Sequence, residues 1–485
     1  MNRLADRYNS LPKQLKASFW YLVCNFVQKA VSVIFTPVFT RLMTTQEYGH
    51  YGVFNSWDMI VSVFITLNLS YGVFTQGMVK HSDDKKNFAC AFQGLTLALF
   101  FFWCLFYLAF HSVLNSVTGL NTREFVVMLG SAWTAAAYSL WAAEQRIDYN
   151  YRRLVFTTLA SAICGPSLGI VFVKNVSDKV FGRVFAVFIV NIIVYIIPIL
   201  FQMLNGGKLF HKGYWKYALL FNIPLIPHYL SQTILSNSDR IMIEKISGES
   251  EAGMYNLAYS IAVIAVFFNS ALLQTIHPWL YQRIKERQVD QIKTAVYPAF
   301  FVIGIINLCL IIFAPEIIYI FAPKSYHEAV WIIPPVAMSS LFNFSYGLFA
   351  DFEFYYDKPY LATFASVGGA GLNVILNYFF IRHCGYIAAG YTTLMCYILF
   401  AVFHYLFMIR ICNTFMNKVR PYHTSVLLGG SICFLFLGFA FTAAYNYPMV
   451  RYGLVCSGFF LLFFFRKKIV RYVRVFINVR NGVKL

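Results

Sequence analysis

The chain has 485 residues, of which 59% are hydrophobic and only 12% are charged, and its mean hydropathy is +0.61. Soluble domains are about half apolar and a quarter charged, so this composition excludes a soluble globular protein and indicates a membrane protein. The formal net charge is +19, but no nucleic-acid-binding motif accompanies it, and we expect no nucleic-acid partner.

Apolar runs of about 20 residues recur along the chain, which is the length that an α-helix needs to cross a hydrocarbon core about 30 Å thick. Ten-residue alternating strands are missing from the sequence, so it predicts an all-α polytopic membrane protein with about fourteen transmembrane helices. The predicted spans are residues 18–39, 52–75, 88–110, 124–143, 154–173, 181–204, 214–237, 254–277, 295–313, 329–352, 360–380, 387–409, 422–445 and 448–465.

Lysine and arginine are concentrated in the N-terminal segment and then in every second loop that connects the predicted spans. The positive-inside rule then predicts that both termini are cytoplasmic. The first span contains Asn25, Gln28 and Lys29 and lacks a small-residue cleavage site, so we expect a retained helix and not a signal peptide. The basic C-terminal stretch RKKIVRYVRVFINVR is expected to contact anionic membrane lipids.

Cysteine and histidine offer no metal-binding pattern. The ten cysteines are scattered without a CxxC motif or a Cys/His cluster, which argues against a disulfide framework and against a metal site. His228, His277 and His404 lie within or near spans, and none pairs with an acid at helical spacing, so we expect structural roles for them.

A segment after the first span, TRLMTTQEYGHYGVF, nearly repeats 204 positions later. Glu47, Gly49 and Tyr51 fall on Glu251, Gly253 and Tyr255, and Arg41 falls on Lys245. An offset of six spans keeps both copies in the same membrane orientation. The repeat therefore predicts two parallel six-helix lobes followed by two further helices.

Polar side chains form a stripe on each of the two helices that lead into the repeated turns. The stripe of the first helix is Asn25, Gln28, Lys29, Ser32, Thr36 and Thr40. The stripe of the seventh helix is Tyr229, Gln232, Thr233, Ser236, Arg240 and Glu244. Because a polar face in a bilayer must meet protein or water, the two stripes are predicted to line a central cavity.

Each stripe carries one cation. When the two copies of the repeat are aligned, Lys29 and Arg240 are seven residues apart, or roughly 10 Å along the membrane normal. They would offer an anionic substrate two successive cationic binding positions. The structural alternative pairs Lys29 with Asp58, and Arg240 with Asp239 or Glu244.

The carboxylates at membrane depth are Asp58, Asp239, Asp351 and Glu353, and any coupling to a cation gradient would use them. Asp351 and Glu353 are two residues apart, so they diverge on a helix and are not expected to form one site. The favoured interpretation places both at a cytoplasmic helix end near Lys358.

Two further polar or proline-rich segments lie at helix ends. Glu144, Arg146 and Asp148 follow the fourth span and are interpreted as a solvated helix end, with Glu144 and Asp148 on one face. Pro224 and Pro227 are predicted to kink the seventh helix just before its stripe, either as a hinge or as simple kinked packing.

The motifs FTRLMTTQEYGHY, SNSDRIMIEKISGESEAGMYNLAYS and LNVILNYFFIRHCGYIAAGYTTL resemble those of polysaccharide flippases. The resemblance covers nearly the whole chain and points to the multidrug/oligosaccharidyl-lipid/polysaccharide exporter superfamily, within it to the O-antigen (Wzx-type) translocases. Asn373, Asn377, Gly385 and Gly390 occupy the family's paired-Asn and Gly positions, although Ala-Ala-Gly stands where Gly-Ala-Ala is usual.

The resemblance implies a MATE-like fold and a transporter, not an enzyme. Its implied substrate is an undecaprenyl-diphosphate-linked oligosaccharide, moved by alternating access from the cytoplasmic to the periplasmic leaflet of the bacterial inner membrane for lipopolysaccharide biosynthesis. It implies no cofactor, coupling to a H⁺ or Na⁺ gradient, and a polysaccharide polymerase and a chain-length regulator as partners.

The expected organisation is an N-lobe over residues 1–210, a C-lobe over 211–415, two additional helices over 416–466 and a basic tail over 467–485. An ion-coupled multidrug exporter of the same superfamily stays open as an alternative, although Lys29 and Arg240 would repel a lipophilic cation. A membrane-embedded polysaccharide polymerase is less favoured because no acid/base cluster or large external loop is visible, and a channel is least favoured.

Overall fold

A computed structural model describes residues 12–70 and 72–464, and its regular secondary structure in these ranges is helical throughout. The α-helices in chain order are α1 Lys13–Leu42, α2 Thr45–Thr66, α3 Val73–Lys80, α4 Lys85–Thr118, α5 Thr122–Ile147, α6 Tyr151–Asn175, α7 Lys179–Asn205, α8 Lys212–Asn222, α9 Ile226–Ile246, α10 Glu249–Lys285, α11 Ile292–Ile312, α12 Ala314–Phe321, α13 Ile333–Tyr355, α14 Pro359–Cys384, α15 Ala388–Phe415, α16 Thr424–Ala443 and α17 Pro448–Phe464. Short 3₁₀ segments include Ile223–Leu225 and Lys324–Trp331.

The predicted all-α polytopic class is confirmed, and each predicted span overlaps helix among the described residues, although residues 67–70 of the second span are not helical. By length and composition alone, ten of the described helices could cross a membrane, or eleven if Lys324–Trp331 and α13 form one bent span. The predicted spans outside that set are the polar α2, the interrupted α8–α9 segment and the 17-residue α17. The predicted basic tail lies outside the described residues.

The chain forms two compact units, which divide between Glu244 and Lys245 near the end of α9. In the first unit α6 packs between α1 and α7, while α5 contacts α2, α4 and α7. Aromatic side chains fill its interior, as in the stacked Tyr138 and Tyr195 rings, whose centroids are 3.7 Å apart. The lobe boundaries given above stay a prediction.

The second unit is organised around α13. This helix packs against α10, α11 and α15, and α14 packs on α15. Most residues of α13 are buried, including Phe344 and Phe352, so its polar side chains are held inside the unit.

The helix pattern of the first unit recurs in the chain after 204 positions. Helix α2 begins at Thr45 and α10 at Glu249, and the later helices of the two series follow in the same order with similar spacing. The recurrence therefore extends from the short motif that revealed it to the helices that follow.

The recurring motif lies at the start of a helix in both copies. Thr44 caps α2 through a bond from the Glu47 amide to Thr44 Oγ1 of 3.2 Å, and the Thr44 amide donates to Glu47 Oε2 at 2.7 Å. Glu251 occupies the same third position of α10, after Gly248, whose φ of 123° favours glycine. The acidic residue of the motif thus belongs to the start of a helix.

The α-helix is broken where the sequence predicted a proline kink. Helix α8 ends at Asn222, the 3₁₀ segment follows with Pro224 in its first turn, and α9 begins at Ile226 with Pro227 as its second residue. The side-chain amide of Asn222 is buried, and neither of its polar atoms has a hydrogen-bond partner within the described chain. The hinge role of this break remains a prediction.

Candidate functional site

The polar stripe on α1 runs from an exposed half to a buried half. Asn25, Lys29 and Ser32 are exposed and Gln28 is half-buried. Toward the C-terminal end the stripe becomes buried, where Thr36 donates to the Ser32 carbonyl at 2.9 Å. Lys29 therefore stands on the accessible part of the stripe, near the middle of a 30-residue helix.

The stripe on α9 is more enclosed. Tyr229, Gln232 and Ser236 are half-buried, whereas Arg240 is only 8% exposed. The Arg240 guanidinium donates to the Ser236 carbonyl at 3.4 Å and to Asn237 Oδ1 at 3.3 Å. Both of these acceptors belong to α9 itself.

Asp58 does not form the ion pair with Lys29 that the structural alternative proposed. No ion pair of the described chain includes Asp58, and its Oδ1 atom is buried without a hydrogen-bond partner among the described residues. A carboxylate oxygen enclosed in this way is costly unless it takes up a proton or a cation. Asp239, the other acid predicted in this unit, is buried on α9.

Asp351 and Glu353 point to different helices, and each meets a histidine. Asp351 Oδ2 lies 2.5 Å from Nδ1 of His277 on α10, and Glu353 Oε1 lies 2.7 Å from Nδ1 of His404 on α15. The sequence predicted structural roles for His277 and His404 but not these acid partners, which are 74 and 51 residues away and beyond any local spacing rule.

Asp351 and Glu353 lie in the last turns of α13, at the helix end before Lys358 where the sequence placed them, and both are buried. Lys358 contributes a backbone amide to the Glu353 carbonyl at 2.8 Å, while its Nζ lies 5.9 Å from the Phe415 ring. The helix end is therefore closed by packing around acid–histidine pairs.

A second buried polar network joins α14 and α15, on residues that the family motif singled out. Asn377 Nδ2 donates to Asn373 Oδ1 at 3.2 Å, and Thr392 donates its hydroxyl to Asn377 Oδ1. All three side chains are buried. In the same unit Asn269 donates to both the carbonyl and the hydroxyl of Ser340 at 2.7 and 2.8 Å. The contacts of Asn269 and Thr392 were not predicted from the sequence.

The interpretation of the segment after the fourth span as a solvated helix end is wrong for Glu144. It is half-buried and accepts a 2.6 Å hydrogen bond from Gln202, which itself accepts one from the buried Gln93. Asp148 is exposed and lies 3.5 Å from the Lys85 ammonium. The two acids therefore have different surroundings, because Glu144 turns inward toward two buried amides.

The described residues place cations and neutral amides on α1 and α9, and protonatable acid–histidine pairs in the second unit. Such groups can bind an anion and can take up or release protons.

Sequence comparison with known proteins identifies a family and two relatives of this chain. The profile of the family described as "Polysaccharide biosynthesis protein" matches residues 14–284, which is more than half of the chain. A protein of the Lsg locus of Haemophilus influenzae is 21% identical over 73% of this chain and 88% of its own length. An uncharacterized membrane protein of the same organism is 23% identical over 73% of this chain and 87% of its own length.

Solved structures share the fold. An inward-facing multidrug resistance MATE family transporter of the MOP superfamily superposes with a TM-score of 0.66 at 13% identity, over 79% of this chain and 95% of its own. The lipid II flippase MurJ in an inward closed conformation gives a TM-score of 0.63 at 11% identity, over 88% of this chain and 98% of its own. The chain belongs to the polysaccharide biosynthesis protein family, with the fold of the MOP superfamily of membrane transporters.

Proposed function

We propose that this protein flips an undecaprenyl-diphosphate-linked oligosaccharide, an O-antigen unit or a related repeat, from the cytoplasmic to the periplasmic leaflet by alternating access. The observation that carries the proposal is the exposed Lys29 at mid-length of α1. It lies 16 residues after Lys13 and 13 before Leu42, so it is roughly 20 Å from either end of the helix. A cation at that depth is tolerated only on a face that meets water, protein or an anion.

A diphosphate-linked sugar fits the chemistry of this face. A diphosphate needs cations in a wet environment, and Lys29 offers three donors on a flexible stem. The neighbouring Asn25, Gln28 and Ser32 supply the amide and hydroxyl groups that hydrogen-bond sugars. Arg240 on α9 adds a second cation, on the stripe of that helix. We propose the α1 and α9 stripes as the substrate-contacting surfaces.

We further propose that transport is coupled to a H⁺ or Na⁺ gradient. Asp58, with its buried oxygen that lacks a hydrogen-bond partner among the described residues, is the candidate carrier in the first unit. The two acid–histidine pairs, formed by Asp351 and Glu353, are the candidates in the second unit. Buried ionisable groups inside membrane helices are typical of proton and cation relays.

The experiment is complementation of a deletion strain. Loss of the protein is expected to remove surface glycan and to accumulate its lipid-linked repeat. Lys29→Ala is expected to reduce export by about tenfold or more at normal expression, because it removes a charge-assisted contact worth about 1.5–3 kcal/mol. Lys29→Arg should retain part of the activity, and Lys174→Ala, which removes an exposed cation at the C-terminal end of α6, should retain all of it.

Two outcomes would contradict the proposal. Full complementation by Lys29→Ala would show that this cation does not contact an anionic substrate. Unaffected surface glycan with increased dye sensitivity in the deletion strain would instead favour a multidrug exporter. In the membrane, a polysaccharide polymerase and a chain-length regulator are the proposed downstream partners.

A further inference from the structure

A cationic cavity opens at one end of the first unit, where the start of α1 meets the turn between α5 and α6. Its volume is about 530 Å³. It is lined by Lys13, Lys16, Tyr149, Asn150, Tyr151, Arg152 and Arg153. Four of these seven residues are cationic and none is acidic, so the cavity is suited to an anion.

The internal bonds of this cavity leave its arginines unneutralised. Lys13 Nζ donates to the Asp148 carbonyl and to Asn150 Oδ1, both at 3.0 Å, which fixes the turn. The Asp148 carboxylate is directed to Lys85 at 3.5 Å. Arg152 and Arg153 are exposed, and neither has an ion-pair partner in the described part of the chain.

An apolar groove of about 590 Å³ continues from the cationic cavity, and the two share Tyr151 and Arg152. Its walls are Trp20 of α1 and Tyr151, Arg152, Val155, Phe156, Leu159, Ala160, Ile163 and Cys164 of α6. From Tyr151 to Cys164 the groove follows α6 for roughly 20 Å, which exceeds one leaflet's half of a hydrocarbon core about 30 Å thick. Trp20 and Tyr151 stand where aromatic residues mark a membrane interface.

We propose that this combined surface, the α1–α6 lipid site, binds one anionic glycerophospholipid. Its phosphate lies among Arg152, Arg153 and Lys16, and one acyl chain lies in the groove along α6. Basic pockets beside apolar helix surfaces at the cytoplasmic interface bind anionic headgroups, and the basic loops of this chain assign that side to this end of α6.

The occupant is a phospholipid and not the sugar-linked substrate. Among the described residues that line the cavity there is no carboxylate, and their one side-chain amide oxygen, Asn150 Oδ1, already accepts from Lys13. The cavity therefore offers charge for a phosphate but few acceptors for sugar hydroxyls. The site also stands independently of the proposed function, because a bound phospholipid would anchor α1 to α6 whatever is transported.

The test is native mass spectrometry of the full-length protein in detergent with phosphatidylglycerol and phosphatidylethanolamine of matched chains. We expect preferential retention of phosphatidylglycerol, and about a 30-fold loss of that preference in the Arg152→Gln/Arg153→Gln double variant. The matched control, Arg123→Gln/Lys174→Gln, removes two exposed cations at the opposite ends of α5 and α6 and should keep the preference. Equal retention of both lipids, or an equal loss in both double variants, would overturn the site.

A second measurement examines the groove without depending on a variant that folds poorly. Cys164 is exposed on the groove wall, so bound dioleoyl phosphatidylglycerol should slow its alkylation by N-ethylmaleimide several-fold. Cys309, exposed on α11, serves as the internal control and should react at an unchanged rate. The short-chain dihexanoyl lipid should protect Cys164 poorly. Equal rates at Cys164 with and without the long-chain lipid would place the acyl chain elsewhere.

Discussion

Glu353 and His404 form the most buried acid–histidine pair of the described chain. The energy of their interaction should therefore be measurable as a change in the stability of variants. Their side chains are 0% and 1% exposed, and their contact is 2.7 Å. Glu353 Oε2 and His404 Nε2 are both buried without further hydrogen-bond partners among the described residues. Each group therefore relies on the other, and the two single variants should cost more stability than the double variant.

The magnitudes follow from what each substitution leaves behind. His404→Phe strands the Glu353 carboxyl in an apolar surrounding, which is expected to cost about 3–5 kcal/mol. Glu353→Leu strands a neutral imidazole and should cost about 1–3 kcal/mol. The Glu353→Leu/His404→Phe double variant replaces the pair by apolar groups of similar size and should lie within about 1 kcal/mol of the wild type.

Thermal unfolding of the purified protein in detergent measures this cycle. At about 2–4 °C per kcal/mol for a domain of 150–250 residues, His404→Phe should lower the apparent midpoint by roughly 6–20 °C. The control is the surface pair Arg283–Glu286, at 2.8 Å, for which Glu286→Gln should cost less than about 1 kcal/mol. Additive losses in the double variant, or a wild-type midpoint for His404→Phe, would refute the buried pair. A double variant that is stable but inactive in export would indicate that the pair couples export to the cation gradient.

Two predictions concern the helices themselves. Thr44→Ala removes the cap of α2 and should destabilise the first unit by about 1 kcal/mol, measured as a lower unfolding midpoint, while an unchanged midpoint would refute the capping role. Gly94→Ala would place a Cβ atom 2.0 Å from the carbonyl oxygen of Leu209, so backbone must move and expression or folding should fail. Gly371→Ala, where nothing lies within 4 Å, is the matched control and should be tolerated, and similar yields of both variants would contradict the close approach.

The helices were predictable because lipid imposes a length and a backbone rule that sequence reveals directly. The break at Pro224 was predictable for a similar local reason, since proline removes a backbone donor. The pairing of Asp351 with His277 was not predictable from the sequence, because it depends on which faces of α10 and α13 meet. Glu144 was misread on the same grounds: its position at a helix end indicated solvent, but packing of α5 on α7 brings Gln202 to it.

The repeat at an offset of 204 positions preserves the helices but not the charged side chains at aligned positions. This difference suggests a division of roles between the two halves of the repeat. Lys29 corresponds to Thr233 and Arg240 to Thr36, while Glu353 corresponds to Tyr149. A feature needed only for folding, such as the glutamate at the third helix position, recurs in both halves of the repeat. Lys29 and the pairs of Asp351 and Glu353 have no charged equivalents at the aligned positions, although the first unit has an acid–histidine contact of its own, His50 Nε2 to Glu124 Oε1 at 3.0 Å. If Lys29 serves binding and the Glu353–His404 pair serves coupling, Lys29→Ala should weaken export at every pH, whereas the stable Glu353→Leu/His404→Phe variant should lose the dependence of export on the cation gradient. Equal effects of both changes on that dependence would argue against the division.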